Sequence, residues 1–73
     1  MRKILTDTLI RNSFDRWASA AEKNRRDAKV LENGYMRGMH SGMAIGYEVA
    51  CLGLIRDFPH LFTDADKMRV EIK

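Results

Sequence analysis

Four side chains carry the chemistry that a metal centre or a nucleophilic site would need: His40, Glu48, Cys51 and His60. His40 and Cys51 lie eleven residues apart, about three helical turns or ~16 Å, which is too far for one tetrahedral zinc. Neither CxxC nor HxxxH spacing occurs. A Cys51–His60 dyad requires a chain reversal at Pro59, so a buried thiol and a solvated imidazole are the simpler expectation. The sequence therefore predicts no catalytic residue, no metal and no cofactor.

Other ligand-binding patterns are missing as well. Asp57, Asp64 and Asp66 lack the spacing and the glycine of a calcium loop. The glycines between residues 34 and 46 do not fit either phosphate-binding loop. A chain of 73 residues forms one domain at most, residues 1–73, and buries only about 60% of its unfolded surface. Little volume remains for a deep pocket, so an enzyme is not expected.

The charge is distributed unevenly along the chain. The 13 Lys and Arg against 10 Asp and Glu leave +3, but residues 1–30 carry eight basic and four acidic side chains, a net of +4. The densest basic patch, and the candidate contact for an anionic partner, consists of Arg16, Lys23, Arg25, Arg26 and Lys29. Nucleic-acid binding through this first helix is therefore the alternative function.

Compartment signals point to a cytoplasmic protein without membrane attachment. A lone Cys51 makes no internal disulfide. The N-terminus has no apolar stretch long enough for a signal peptide. Residues 43–55 are apolar apart from Glu48 and the glycines, but this stretch is shorter than the ~20 residues of a spanning helix.

Apolar residues at spacings of three and four predict an amphipathic helix over about 7–32, with Thr6 or Asp7 as N-cap. This apolar row contains Leu9, Ile10, Phe14, Trp17, Ala21, Ala28 and Leu31. Phe14 and Trp17 are expected in the core. On the opposite face, Glu22 and Arg26 form a favourable i,i+4 pair.

Asn33-Gly34 is typical of a turn and predicts a break near 32–35, followed by a second helix over about 35–57 that ends at Phe58-Pro59. Because the apolar spacing continues in phase, one uninterrupted helix past residue 50 stays as an alternative. Thr63 is expected to cap a short C-terminal helix within about 63–71. Alternation of Met68, Val70 and Ile72 leaves a terminal strand as the other interpretation.

The most unusual feature is a row of glycines at every fourth position: Gly34, Gly38, Gly42 and Gly46, extended by Ala50. Each glycine inside a helix costs roughly 0.8–1 kcal/mol relative to alanine, so a compensating contact is expected. A row without side chains lets another helix approach closely. The flanking stripe is Met36, Met39, Met43, Tyr47 and Leu54.

Residues 34–47 resemble the glycine-repeat helices of FliH-like flagellar export regulators and of certain small adaptor proteins. In those proteins such helices mediate helix–helix assembly, so the resemblance implies a mode of packing and no chemistry. Two interpretations stay open. The row packs within the chain, against Ala18, Ala21 and Ala28, or it forms an interface with a second copy or another protein.

Three apolar residues follow the second helix: Phe58, Leu61 and Phe62. They either cap the open end of the bundle or form an exposed apolar anchor for a partner.

Together these patterns predict an all-α fold, an antiparallel helical hairpin with a short C-terminal helix, pairing into a four-helix-bundle-like homodimer. The expected function is non-catalytic protein–protein interaction, as an adaptor or inhibitor of a larger protein. Phage-encoded inhibitors of host enzymes are one natural class of such short chains.

Overall fold

A computed structural model describes residues 2–31 and 34–70. Helix α1 spans Arg2–Val30, α2 spans Gly34–Asp57 and α3 spans Asp64–Arg69, with a 3-10 turn at Pro59–Leu61. No strand occurs among the described residues. The predicted all-α hairpin is therefore confirmed, whereas its pairing into a dimer stays a prediction.

The start of α1 and the break after it differ in detail from the sequence prediction. Because α1 already begins at Arg2, Thr6 and Asp7 lie inside the helix and do not cap it. Gly34 is the first residue of α2 and has no positive φ, so it is not a turn glycine. Asn33 lies outside the described residues. The single long helix is wrong, because α1 ends at Val30 and α2 packs back against it.

Contacts between the two long helices establish that they run antiparallel. The Cys51 Sγ lies 3.7 Å from the carbonyl oxygen of Phe14. Farther along α1, the Asn24 Oδ1 lies 2.9 Å from the His40 Nδ1. A later residue of α1 thus meets an earlier residue of α2, as an antiparallel hairpin requires.

The core changes in side-chain size along the hairpin. Its buried apolar residues are Phe14, Ala18, Ala21, Ala28, Ala44, Cys51, Ile55, Phe62 and Val70. Alanines occupy the part nearer the connection, and the larger side chains cluster at the open end. Phe14 is fully buried and Trp17 packs partly buried against the core, whereas Leu9 is 66% exposed and departs from the predicted apolar row.

The segment after α2 closes the open end of the hairpin. The ring centroid of Phe62 lies 4.7 Å from that of Phe14. Phe58 and Leu61 are partly buried against the same cluster. These three residues therefore cap the open end of the hairpin, as one of the two interpretations predicted. The other interpretation, an exposed apolar anchor for a partner, is wrong for Phe62, which is buried.

Thr63 caps α3 as predicted. Its hydroxyl accepts a hydrogen bond from the Asp66 backbone N–H, and the Asp66 carboxylate accepts one from the Thr63 backbone N–H. This reciprocal capping box fixes the start of the helix. Since Met68 lies in α3, the strand interpretation is wrong for the described residues, while Ile72 lies outside them.

Two arginines tie the C-terminal segment to α1. Arg11 donates hydrogen bonds to the Leu61 carbonyl oxygen (3.1 Å) and the Asp66 carboxylate (2.7 Å). Arg69 pairs with Glu22 at 2.5 Å and with Asp15 at 3.4 Å. Glu22 is thus paired across the fold with Arg69, and the i,i+4 pair with Arg26 expected from the sequence does not form.

Within the described part of the chain, no helix has both the length and the apolar character needed to cross a membrane.

Candidate docking face on helix α2

The glycine row of α2 faces away from α1. Gly34, Gly38, Gly42 and Gly46 are exposed, and a Cβ added at any of them would meet no atom within 4 Å. The interpretation in which the row packs against Ala18, Ala21 and Ala28 is therefore wrong. Those alanines are buried in the core, on the side of the hairpin where α2 presents Ala44 and Cys51 instead.

Large apolar side chains surround these glycines on the same exposed surface of the helix. We call this surface the outer face of α2; its members are Tyr35, Gly38, Met39, Gly42, Met43, Ile45, Gly46 and Val49. The side chains are between 41% exposed at Met39 and 78% exposed at Tyr35. An exposed stretch of this composition on one helix is typical of an interaction surface.

The outer face carries no ionised side chain. Between Gly38 and Ile55 the only Asp, Glu, Lys or Arg is Glu48, and Glu48 is buried on the inner side of the helix. Arg25 of α1 holds its carboxylate through a bidentate pair, with the Arg25 Nε at 2.8 Å and 3.2 Å from the two oxygens. The one charge in this stretch is therefore neutralised inside the hairpin.

A shallow apolar groove adjoins the outer face. It has a volume of about 370 Å³ and is lined by Trp17 of α1 together with four residues of α2: Met43, Gly46, Tyr47 and Ala50. Met43 and Gly46 belong to both surfaces. The predicted interface residues Gly46, Ala50 and Met43 thus lie together with the half-buried Trp17, whose role at a surface the sequence did not suggest.

A polar contact orients α2 near its N-terminal end. The Asn24 side-chain amide donates to the Ala20 carbonyl oxygen at 2.8 Å, so its Oδ1 accepts from the Nδ1–H of His40. Both side chains lie at the α1–α2 boundary. His40 is therefore engaged in helix packing.

The remaining chemistry-bearing residues do not assemble. Cys51 is fully buried, and burial raises the pKa of its thiol to about 11. A thiol held in this way is a poor nucleophile. His60 is exposed in the 3-10 turn. Among the described residues, no three His, Cys, Asp or Glu side chains come close enough to hold a metal ion.

The residues of the basic patch predicted on α1 divide into two groups. Arg16, Lys23, Arg26 and Lys29 are exposed, as contact with an anionic partner requires. Arg25 is only partly exposed, because it pairs with Glu48. The patch is therefore less continuous than the sequence suggests.

Arg69 and Arg11 are structural residues that the sequence did not reveal. Hydrogen bonding to Glu22 raises the pKa of Arg69 above its ordinary value, and Arg69 also donates to Ser19 at 3.0 Å. Arg11 lies over the rings of Phe14 and Phe62 at 5.9 and 5.3 Å. Apart from Arg11–Phe14, each of these contacts joins residues far apart in the chain, so no local spacing signals it.

Comparison with protein-family models, curated proteins and solved structures finds no match for this chain.

Proposed function

We propose that this chain is a small, non-catalytic protein-interaction module, an adaptor or an inhibitor of a larger protein, that docks through the outer face of α2. One observation carries the proposal: glycines without neighbouring atoms coincide with exposed apolar side chains on one uncharged helix surface. Of the eight large apolar residues exposed in the described chain, five lie on α2. They are therefore concentrated where the glycines leave room for another helix.

The energetics of the glycine row support a docked helix. Gly38, Gly42 and Gly46 lie inside α2, and each costs a helix about 0.8–1 kcal/mol relative to alanine. Their sum, about 3 kcal/mol, is comparable with the ~3–5 kcal/mol that a core of this size supplies. No contact from the described part of the chain offsets that cost at these positions. A second helix backbone, settling into the row, offsets it through close packing.

The occupant we favour is a second copy of the chain, in a four-helix-bundle-like homodimer. In a twofold-symmetric dimer the same surface of each copy forms the interface, so each residue lies near its own counterpart or close to it. A face that carries charge would therefore bring like charges together. The outer face of α2 has no ionised side chain to oppose. A homodimer also buries the Trp17 groove beside it and enlarges a thin core.

The state of the single cysteine supports a cytoplasmic location for the module. Cys51 is a buried, unpaired thiol, and the fold places no disulfide that would need an oxidising compartment.

The test is the molar mass in solution, measured by light scattering from about 5 to 500 μM, a range that covers micromolar association. We expect the mass to rise from 8.4 kDa toward twice that value. Gly42→Leu fills the row and should weaken association at least about tenfold, the equivalent of ~1.4 kcal/mol. The matched control is Lys23→Leu, which adds the same side chain to an exposed position of α1 and should associate like wild type.

A chain that is monomeric at every concentration rules out the second copy. The docking face is then tested by capturing proteins from the source cell with wild type, Gly42→Leu and Lys23→Leu. A protein retained by wild type and the control, but lost with Gly42→Leu, supports the interaction module. If all three capture the same proteins, the outer face of α2 does not dock and the proposal fails.

The alternative function, nucleic-acid binding, has one supporting observation: the exposed side chains of Arg16, Lys23 and Arg26 on α1. Phosphate contacts of this kind weaken steeply with salt. Binding to random duplex DNA at low salt, lost on replacing these three residues with glutamine, would establish it. Absence of binding at low salt excludes it.

A further inference from the structure

A second cleft lies between the two long helices, and its lining is cationic. It has a volume of about 310 Å³ and is lined by Arg25, Ala28 and Lys29 of α1 and by Arg37 and Ser41 of α2. The cleft shares none of these residues with the outer face of α2 or with the Trp17 groove. It is therefore a separate surface of the hairpin.

Three of the lining residues are cationic: Arg25, Lys29 and Arg37. The two arginines are held in place by hydrogen bonds from one edge of the guanidinium group. Arg25 uses its Nε and one terminal nitrogen for Glu48. Arg37 uses its Nε and one terminal nitrogen for the carbonyl oxygen of Leu31, at 2.9 and 2.5 Å. Each guanidinium has five N–H donors, so each retains donors on its other terminal nitrogen. Their positions are fixed before any ligand arrives, which lowers the entropic cost of binding.

Among the residues that the structure describes, the positive charge of the cleft is only partly balanced. Lys29 has no ion-pair partner among the described residues. Within residues 2–31 and 34–70, three cations paired with the single carboxylate of Glu48 leave two positive charges, and the Ser41 hydroxyl adds a neutral donor. Anchored arginines, a lysine and a hydroxyl on two helices are the donor types that recognise a phosphoryl group.

We infer that this cleft binds a phosphoryl dianion, such as inorganic phosphate or the terminal phosphate of a small phosphomonoester. The two uncompensated charges match a group that carries about −1.5 to −2 at neutral pH. They match a nucleic-acid phosphodiester less well, because that group carries a single charge. The volume lies at the lower end of ~300–1,000 Å³ ligand sites, which suits a small molecule.

The test is a titration followed by two-dimensional ¹H–¹⁵N NMR at pH 7.5, with ionic strength held constant by sodium chloride. The probes are inorganic phosphate, glycerol 3-phosphate and the phosphodiester dimethyl phosphate. We expect saturable shifts at residues 25, 29, 37 and 41, half complete below about 20 mM for the first two probes. Shifts confined to phosphate indicate the free ion, and tighter binding of glycerol 3-phosphate indicates an organic monoester.

Lys29→Gln tests the assignment without disturbing the fold, because Lys29 is exposed. It should weaken phosphate binding about fivefold. Lys67→Gln removes the same charge from α3, which supplies no lining residue of the cleft, and should change binding less than about twofold at this ionic strength. Ser41→Ala supplies a second, uncharged probe of the site and should also weaken binding.

Three results would overturn the inference. The first is the absence of saturable shifts in the wild type. The second is equal weakening by Lys29→Gln and Lys67→Gln, since the response then reports net charge alone. The third is binding of dimethyl phosphate and random duplex DNA in place of the dianions, which would assign the cleft to a nucleic-acid backbone.

Discussion

Arg25 of α1 and Glu48 of α2 form a bidentate ion pair across the hairpin, 23 residues apart in the chain. The Glu48 side chain is 4% exposed and that of Arg25 is 36% exposed. The pair holds the two helices in register and keeps the only acidic group of the central part of α2 away from its outer face.

The first prediction concerns this pair. Arg25→Met leaves the buried Glu48 carboxylate without a partner and should lower the free energy of unfolding by about 2 kcal/mol, below the ~3–5 kcal/mol of fully buried pairs because Arg25 is partly solvated. The double variant Arg25→Met/Glu48→Met should recover most of that loss. Urea unfolding measures both.

Arg56→Met is the control, because Arg56 pairs with Asp57 on the exposed surface and should change stability by less than about 0.5 kcal/mol. A loss for Arg25→Met no larger than that of the control would show that the ion pair contributes nothing to the hairpin.

The second prediction concerns the glycine row in the isolated chain. Gly38→Ala adds a methyl group that meets no atom within 4 Å, so it should raise the stability of dilute, monomeric protein by about 0.8–1 kcal/mol. Lys23→Ala, on the exposed surface of α1, should change it by no more than about 0.3 kcal/mol. Thermal unfolding at low micromolar concentration measures both. A destabilised Gly38→Ala monomer would mean that this surface is covered within the chain.

The third prediction concerns acid. The backbone N–H of Thr63, followed by Arg11, lowers the pKa of Asp66 below its ordinary 3.8. A carboxylate whose pKa is lowered by folding stabilises the fold above its unfolded pKa, and that contribution disappears as the pH falls through its lower folded value.

Asp66→Asn should therefore lower the free energy of unfolding by about 1 kcal/mol at pH 7, as loss of a helix cap does. Between pH 4 and pH 2.5 this variant should lose less additional stability than wild type. Asp64→Asn, which is exposed in the same turn, should follow the wild-type curve. Urea midpoints between pH 7 and pH 2.5 measure these changes, and identical acid curves for wild type and Asp66→Asn would contradict the prediction.

The fourth prediction concerns Cys51. Burial raises the pKa of this thiol from 9.0 to about 11, so the folded state holds the proton more tightly than the unfolded state does. The raised pKa therefore contributes stability that is fully present below pH 9. As the pH rises toward 11, the free energy of unfolding should fall by about 2 kcal/mol. Cys51→Ala should remove this part of the alkaline loss, measured by urea unfolding from pH 8 to pH 11.

A thiol reagent gives an independent measurement on the wild type. At pH 7.5 the native chain should react many times more slowly than urea-unfolded chain, because the buried thiol is shielded from the reagent and its raised pKa leaves a smaller thiolate fraction. Reaction at the unfolded rate would show that Cys51 is not enclosed.

The helical elements were predictable because their signals are local. The three-and-four spacing around Phe14 and Ala21 placed α1, Pro59 ended α2, and Thr63 with Asp66 marked the start of α3. The beginning of α1 was not predictable from Thr6 and Asp7, because a good capping residue does not end a helix that can continue through it. The role of Phe62 depended on where the chain turned after Pro59, which no spacing specifies.

The candidate docking face was predictable in composition but not in direction. The glycine period at Gly38, Gly42 and Gly46 identified the surface, yet the sequence allowed it to pack inward against the alanines of α1. The cationic cleft was not predicted, because Arg37 and Lys29 line one cleft only when α2 folds back on α1.

The sequence by itself thus determined the helices, their approximate ends and the presence of a glycine row, since periodicity, capping and helix breaking act over a few residues. Only the tertiary structure decided which face of α2 is buried. Burial there depends on side chains from both helices: Glu48 and Cys51 fit the inner side because Arg25 and Phe14 meet them. The glycines are consequently left on the outside, where another helix can reach them.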